Sequence, residues 1–104
     1  MRYSKYRAVP TTVDGIRFAS KKEARRYQEL KILEQAGHID HLVLQEHFRI
    51  EVNGVHICDY RADFSYLEPG CVAVVEDVKG MITPMFKLKQ KLMRAVWGID
   101  IRLS

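Results

Sequence analysis

The stretch that decides the fold is Cys71–Gly80, which reads CVAVVEDVKG. It opens with an apolar, β-branched run and ends in three charged residues, Glu76, Asp77 and Lys79, before a glycine. A run of this type and length predicts a buried strand. Because side chains alternate between the two faces of a strand, we expect Asp77 and Lys79 on one face and Glu76 on the other.

Charge at the end of a buried strand is costly unless it is paired, bound to a metal or functional. An acid and a lysine side by side suit metal-assisted phosphodiester cleavage. In that chemistry the carboxylate of Asp77 would hold Mg²⁺, and the ammonium of Lys79 would orient water or stabilise the charge of the transition state. A surface ion pair on a fraying edge strand is the alternative interpretation, and the tripeptide alone does not decide between the two.

The composition sets further bounds. A chain of 104 residues makes one small domain, and its excess of Lys plus Arg over Asp plus Glu, 17 to 13, permits a nucleic-acid partner without proving one. No apolar run is long enough to span a membrane, and the basic N-terminus lacks the apolar core of a secretory signal. Cys58 and Cys71 show no zinc-type spacing, so we expect structural thiols in a reducing cytoplasm.

Residues 1–12 are basic, with tyrosines between the cations. This segment is interpreted either as an arm for a nucleic-acid backbone or as a flexible tail. Residues 13–104 are expected to form the folded domain. The domain opens with Asp14 and Gly15 between apolar residues, which predicts a short hairpin.

A first helix is predicted from Ser20, because serine at the N-cap and Glu23 three residues later form a capping box. The helix is expected to run to about Ala36 and to end at Gly37, a natural C-terminal capping residue. Glu23 lies at the edge of the apolar stripe, so two interpretations stay open. It is either an acid that only bonds a backbone amide or a functional acid that projects toward the strands.

Two strands with a tight turn follow the helix. Leu42–Val52 predicts a strand with a bend midway, Asn53–Gly54 predicts a two-residue hairpin, and Val55–Leu67 predicts the partner strand. Asp63 falls within the partner strand among apolar and aromatic residues. Because aspartate is depleted in strands, this position calls for a functional explanation. Asp63 and Asp77 would then lie on neighbouring antiparallel strands, where they could converge.

A second helix is predicted after Gly80, with Thr83 as N-cap and Pro84 as the first helical residue. It should end at Gly98, and Ile99–Leu103 should form a final strand. The apolar stripe expected to be buried consists of Met85, Phe86, Leu88, Leu92, Met93, Val96 and Trp97.

Basic residues at the starts and along the exposed sides of both helices are candidate contacts to nucleic-acid phosphates. A helix N-terminus directly after Lys79 favours phosphate contact. A solvated face that only keeps the chain soluble is the alternative. The candidate DNA-binding residues are Lys21, Lys22, Thr83, Lys87, Lys89 and Lys91.

The order of these elements resembles the PD-(D/E)XK nuclease superfamily. That superfamily places a helical glutamate, then an aspartate, then (D/E)-x-K on an αβββαβ core, and here Glu23, Asp63, Asp77 and Lys79 follow that order over roughly residues 16–103. Ala62 stands where the superfamily name implies proline before the first aspartate.

Longer strings resemble a small family of phage and prophage proteins of formally unknown function, whose members are thought to be endonucleases similar to phage Holliday junction resolvases. The strings are VDGIRFASKKEARRY from Val13, ADF from Ala62, VEDVKG from Val75 and TPMFKLK from Thr83.

The resemblance implies a restriction-endonuclease-like α+β domain with a mixed central sheet. It also implies a Mg²⁺-dependent DNA endonuclease acting on branched DNA, with Mn²⁺ able to substitute for Mg²⁺. Two symmetric cuts in a four-way junction would require a homodimer. The resemblance further implies a protein encoded by a phage or prophage that acts in the bacterial cytoplasm. A nuclease for other DNA or RNA substrates, a non-catalytic nucleic-acid-binding module and a purely structural domain are the alternatives.

The resemblance also assigns roles. The residues implied as catalytic are Glu23, Asp63, Asp77 and Lys79. Asp63 and Asp77 would bind Mg²⁺, with the carbonyl of Val78 as a further ligand and Glu23 supporting the same ion or a second one. Glu76 is the alternative to Asp77 if a bulge reverses the strand register.

Other polar residues lie near the predicted site in sequence. Gln45–Glu46 lies close to the predicted strand bend and could enter the site. The chemistry needs no histidine, and a structural or surface role is expected for His38, His41, His47 and His56.

Overall fold

The turn at Asp14 and Gly15 forms as the sequence predicts. The computed structural model describes residues 8–104. In it, strands β1 (Thr11–Val13) and β2 (Ile16–Phe18) pair antiparallel across these two residues, which have φ of 52° and 74°. Two consecutive positive φ values are what a two-residue hairpin turn requires. Because β1 already begins at Thr11, the folded part starts before residue 13, and residues 1–7 of the predicted arm lie outside the described residues.

Helix α1 (Lys21–Gln35) confirms the predicted capping. The Ser20 side chain accepts the N–H of Glu23 at 3.1 Å, and Gly37 follows the helix with φ of 79°. The position of Glu23 in the first turn is therefore fixed by its own backbone.

The predicted bent strand is two strands. β3 (Asp40–Leu44) and β4 (His47–Val52) belong to different sheets, and Gln45 between them has φ of 57°. The predicted bend near Gln45–Glu46 is present, but the prediction that one strand continues through it was wrong. An apolar pattern does not reveal that a non-glycine residue adopts the left-handed conformation and redirects the chain into another sheet.

The partner strand is divided in the same way. β5 (Val55–Arg61) pairs with β4 as the predicted Asn53–Gly54 hairpin, and β6 (Phe64–Glu68) joins a different sheet. Asp63 therefore lies at the break between two strands rather than in the middle of one.

The central sheet has four strands in the order β3-β6-β7-β8, where β7 is Val72–Asp77 and β8 is Arg102–Leu103. β7 pairs antiparallel with β6 and parallel with β8. Phe64 lies opposite Glu76, so Asp63 enters β6 where Asp77 ends β7. The predicted final strand is thus present but shorter than residues 99–103.

Helix α2 (Pro84–Leu92) begins as predicted, with the Thr83 hydroxyl accepting the N–H of Phe86 at 3.1 Å. It continues as a π-helical turn, Met93–Trp97, and ends at Gly98. In this part of the chain Phe86 and Met93 are buried.

The predicted apolar stripe of this helix was partly wrong. Met85 is 61% exposed and Leu88 is 52% exposed, and Val96 and Trp97 are exposed as well. The helix carries apolar residues over a wide arc, and the side that packs inward is decided by the neighbouring hairpin and strands.

Two buried clusters lie on opposite faces of the central sheet, since consecutive residues of β7 enter different clusters, Val74 one and Val75 the other. The first cluster contains residues of α1 and the second contains residues of the β4–β5 hairpin and α2. The whole is one α+β domain. No helix within residues 8–104 combines the length and the apolar character that crossing a membrane requires.

Candidate active site

Two aspartates meet where β6 begins and β7 ends. Oδ1 of Asp77 accepts the N–H of Asp63 at 3.0 Å, and Oδ2 of Asp63 accepts the N–H of Val78 at 2.9 Å. Each carboxylate thus bonds to the backbone beside the other. Asp77 is 2% exposed, and its Oδ2 also accepts the hydroxyl of Tyr60 at 2.6 Å. These bonds hold both side chains at one edge of the sheet.

Lys79 is held against Asp77 by its side chain and by its backbone. Its Nζ lies 3.5 Å from Oδ2 of Asp77 and 4.3 Å from the ring centroid of Phe86, a distance at which a cation is attracted to an aromatic face. Its N–H donates to the carbonyl of Ser104 at 3.2 Å, and its carbonyl accepts Nζ of Lys22 at 3.0 Å. The ammonium therefore remains beside the acids.

Glu23 lies in the same cluster and is only 8% exposed. Burial raises the pKa of Glu23, and the charge of Asp77 raises it further, whereas the backbone of Ala19 and the side chains of Asp63 and Lys79 lower it. The first turn of α1 therefore brings Glu23 within interaction range of the other three predicted residues. The Ser20 hydroxyl caps the helix as predicted, and the Glu23 carboxylate interacts both with the backbone of Ala19 and with Asp63.

The close approach of the three acids has its largest effect on the pKa of Asp63. Burial raises the pKa of Asp63 to about 7, and the charges of Asp77 and Glu23 add to the rise, against a lowering by the N–H of Val78. Negative charges that are buried together disfavour one another, and either a bound proton or a bound cation relieves the repulsion.

The carboxylates of Asp63 and Asp77 are compatible with a Mg²⁺ ion that keeps several of its water ligands. Within residues 8–104 no group of three or more His, Cys, Asp or Glu side chains is arranged to hold a metal ion. Mg²⁺ typically keeps several waters and takes only one or two protein carboxylates. A carboxylate has about four acceptor positions. Asp63 uses positions for Val78 and for Nε2 of Gln45 at 3.3 Å, so acceptor capacity remains. Asp63 and Asp77 are therefore compatible with a site of this type.

Asp63 lines three clefts, and two of them also contain Lys79. The first, here called the hairpin cleft, lies between the β4–β5 hairpin and α2 and has a volume of about 430 Å³. The residues of its lining that matter below are Arg61, Asp63, Asp77, Lys79, Thr83 and Lys89. The second, here called the helix cleft, has about 550 Å³ and includes Ser20, Lys22, Glu23, Asp63, Lys79 and Met81 in its lining. Asp63 is thus accessible from both of these clefts, whereas Asp77 lines only the hairpin cleft and, of the two, Glu23 lines only the helix cleft.

Glu76 does not belong to this cluster. It is completely buried, and it accepts Nε of Arg26 at 2.6 Å, the hydroxyl of Tyr66 at 2.5 Å and the hydroxyl of Ser104 at 2.8 Å. Burial alone would raise the pKa of Glu76, but these hydrogen bonds outweigh burial and lower it. No bulge interrupts the pairing of β6 with β7, so the alternative in which Glu76 replaces Asp77 is not supported.

Comparison with known proteins assigns the chain to a family. The family model described as "Protein of unknown function (DUF1064)" matches residues 3–104. The chain belongs to the DUF1064 family. No curated protein and no solved structure matches it.

In this DUF1064 chain the predicted DNA-binding residues separate into two groups. Thr83 and Lys89 line the hairpin cleft and Lys22 lines the helix cleft. Lys87 and Lys91 are exposed on α2, and Lys91 lines a separate groove on that helix. Lys21 is exposed at the start of α1. Half of the six predicted residues therefore border the acids.

The candidate site of this chain also contains residues that were not predicted from the sequence. Tyr60 bonds Asp77, and Arg61 and His47 line the hairpin cleft. His47 is exposed and pairs with Asp59, which is compatible with the structural or surface role expected for it. Strand alternation provides a signal for Arg61, because it precedes Asp63 by two residues. Gln45, which was considered for the site, does bond Asp63.

Glu46 and Arg26 are two charged residues whose partners lie outside the candidate site. Glu46 accepts the hydroxyl of Ser65 and does not contact Asp63 or Asp77 through a hydrogen bond within the described part of the chain. Arg26 lies on α1 and pairs with the buried Glu76 of β7. This pair joins residues 50 positions apart in sequence, so local patterns do not reveal it.

Proposed function

We propose that this DUF1064 protein is a Mg²⁺-dependent DNA endonuclease with an active site of the PD-(D/E)XK type, acting on branched DNA. The observation that carries the proposal is the convergence of four side chains. The carboxylate of Asp77 accepts the N–H of Asp63, the carboxylate of Asp63 accepts the N–H of Val78, Nζ of Lys79 lies 3.5 Å from Asp77, and Glu23 is buried beside them. A purely structural domain predicts that these four residues do not converge.

The chain order supports a restriction-endonuclease-like core. Helix α1, strands β3, β6 and β7, helix α2 and strand β8 follow one another as αβββαβ, and the four strands form one mixed sheet. The β4–β5 hairpin is then an insertion between the first and second strands of that core.

The residues have separable tasks in this proposal. Asp63 and Asp77 would hold Mg²⁺, which when bound lowers the pKa of a coordinated water and screens the charge of the phosphate. Tyr60 and Gln45 fix the two carboxylates in orientation. The ammonium of Lys79 orients the attacking water or stabilises the charge that develops on the phosphate.

Glu23 and the carbonyl of Val78 are the further ligands that the proposal includes. Glu23 is buried close to the same carboxylates and adds negative charge that favours a cation. The N–H of Val78 is already bonded to Asp63, which places its peptide next to the acids. Both residues therefore remain part of the proposed Mg²⁺ environment.

A cleavage assay tests the proposal. The substrates are a labelled four-way DNA junction and a linear duplex of the same sequence, each with Mg²⁺ and with EDTA. Asp77→Asn removes the charge with little change in shape, and Asp100→Asn is the matched control, because Asp100 is exposed and pairs only with Arg94 among the described residues. Loss of outer-shell partners alone costs about 10- to 100-fold, so we expect Asp77→Asn to lose more than about 100-fold.

The outcomes separate the parts of the proposal. Paired Mg²⁺-dependent cuts in the junction alone, lost in Asp77→Asn and kept in Asp100→Asn, support a junction-specific enzyme that acts as a two-fold homodimer. Equal cutting of both DNAs keeps the endonuclease and removes the preference for branches. Full activity of Asp77→Asn, or DNA binding by the wild type without any cutting, overturns the proposed site.

A further inference from the structure

The β4–β5 hairpin forms one wall of the hairpin cleft and has no task in the proposed chemistry. Its strand β5 ends at Arg61, two residues before Asp63. Two residues of extended chain span at most about 7 Å, so the Cα of Arg61 lies within about 7 Å of the Cα of Asp63. Arg61 is exposed and lines the cleft together with Asp63 and Asp77.

Within residues 8–104, the charge of Arg61 is not neutralised by a carboxylate. Its Nη1 reaches the carbonyl of Gln45 at 3.5 Å, and among residues 8–104 no carboxylate lies within salt-bridge distance of it. On the opposite wall Lys89 donates to the carbonyl of Asp59 at 2.9 Å, so its ammonium also faces no acid of the described chain. The cleft therefore carries positive charge on both walls above its acidic floor.

The carboxylate of Asp59 on the hairpin wall is itself paired. Its Oδ1 lies 3.0 Å from Nε2 of His56 and 3.2 Å from Nε2 of His47. Hydrogen bonding to His56 lowers the pKa of Asp59, against an opposing effect of desolvation, and hydrogen bonding to His47 lowers it further. The carboxylate of Asp59 is therefore bonded to two histidines of its own hairpin, and it forms no salt bridge with Arg61 in the described part of the chain.

We infer that Arg61 binds the DNA phosphate adjacent to the one that is cut, which makes the inserted hairpin a substrate-binding element. The planar guanidinium matches the geometry of a phosphate and can bond two of its oxygens. An adjacent phosphate would lie in the hairpin cleft while the cleaved phosphate lies over Asp63 and Asp77. This inference rests on the proposed nuclease function and extends it to a residue outside the superfamily pattern.

Arg49 provides a matched control on the same hairpin. It is also an exposed arginine, but it pairs with Glu51 and does not line the cleft. The experiment measures binding of a fluorescein-labelled four-way junction, and of the matched linear duplex, to the wild type, Arg61→Ala, Arg61→Lys and Arg49→Ala. It is done in EDTA, over a series of NaCl concentrations, and each variant is first checked for an unchanged urea midpoint.

We expect Arg61→Ala to weaken binding about tenfold and to reduce the slope of log K against log salt by about 1, as the loss of one phosphate contact requires. Arg61→Lys should keep the slope and recover part of the affinity, and Arg49→Ala should match the wild type. A merely structural role for Arg61 would not change the salt slope.

The inference and the proposed function fail in different ways. If the wild type binds and cleaves DNA while Arg61→Ala behaves like Arg49→Ala, the inference is overturned and the nuclease stands. If the wild type cleaves neither DNA with Mg²⁺ and binds neither in EDTA, both are overturned. If Arg61→Ala loses affinity without any change in salt slope, phosphate binding by Arg61 is overturned.

Discussion

Glu76 and Asp77 are consecutive in sequence and lie on opposite faces of β7. Glu76 is bonded by Arg26 of α1 and by Tyr66, so it joins the helix to the sheet. Asp77 is buried on the other face and bonds the N–H of Asp63. Two neighbouring acids of similar burial therefore make different contacts. Mutation of Glu76 should mainly affect stability, and mutation of Asp77 should mainly affect the proposed activity.

The first prediction concerns stability. Glu76→Ala leaves Arg26 and Tyr66 without their shared partner, and breaking a buried ion pair from one side costs about 3 kcal/mol or more of unfolding free energy. Urea denaturation measures this against Asp77→Asn, which keeps an oxygen for the N–H of Asp63 and should lose less. Equal stability of Glu76→Ala and the wild type would show that the pair does not hold α1 to the sheet.

The second prediction is a dependence of stability on pH. Folding raises the pKa of Asp63 from 3.8 to about 7 through burial and then through neighbouring acids. Between these values the folded state binds more protons than the unfolded state, so the stabilising effect is present below pH 4 and is lost as pH rises toward 7 and above. In EDTA, the wild type should lose unfolding free energy relative to Asp63→Asn between pH 4.5 and pH 8. A constant difference between the two proteins over this range would contradict the shift.

The parts of the fold that the sequence predicted are those set by local chemistry. Ser20 and Thr83 cap their helices, and the turns at Asp14–Gly15 and Asn53–Gly54 are hairpins, because each depends on a few adjacent residues. Strand alternation also separated Glu76 from Asp77.

The parts that were missed depend on distant contacts. The left-handed conformation of Gln45 moves β4 out of the sheet that contains β3, and the apolar pattern of residues 42–52 is the same with or without that break. Likewise, both Leu88 and Phe86 are apolar, and only the surrounding strands decide that Phe86 is the one that is buried. The role of Arg61 follows from the same break, because it turns residues 47–61 into a cleft wall.

The third prediction tests the metal without using activity. A ligand that binds only the folded state adds about 1.4 kcal/mol of unfolding free energy when its free concentration is ten times the Kd. Mg²⁺ should therefore raise the Tm of the wild type and of Asp100→Asn, and it should leave Asp63→Asn unchanged. Because a proton on Asp63 competes with the cation, the rise should be larger at pH 8 than at pH 5.5. A rise in Asp63→Asn equal to that of the wild type would place Mg²⁺ elsewhere.

The fourth prediction concerns the exposed cations of α2. Lys87 and Lys91 face solvent, away from the hairpin cleft, so they contact DNA only if the duplex extends over that helix. On the proposed function, Lys87→Ala with Lys91→Ala should weaken junction binding and reduce the salt slope by up to about 2, one unit for each lost phosphate contact. The control is Lys31→Ala, since Lys31 pairs with Glu34 on α1 and lines none of the three clefts that contain Asp63. An unchanged slope in the double variant would remove this face of α2 from the interface. The hairpin and helix clefts would then be the surfaces that bind DNA.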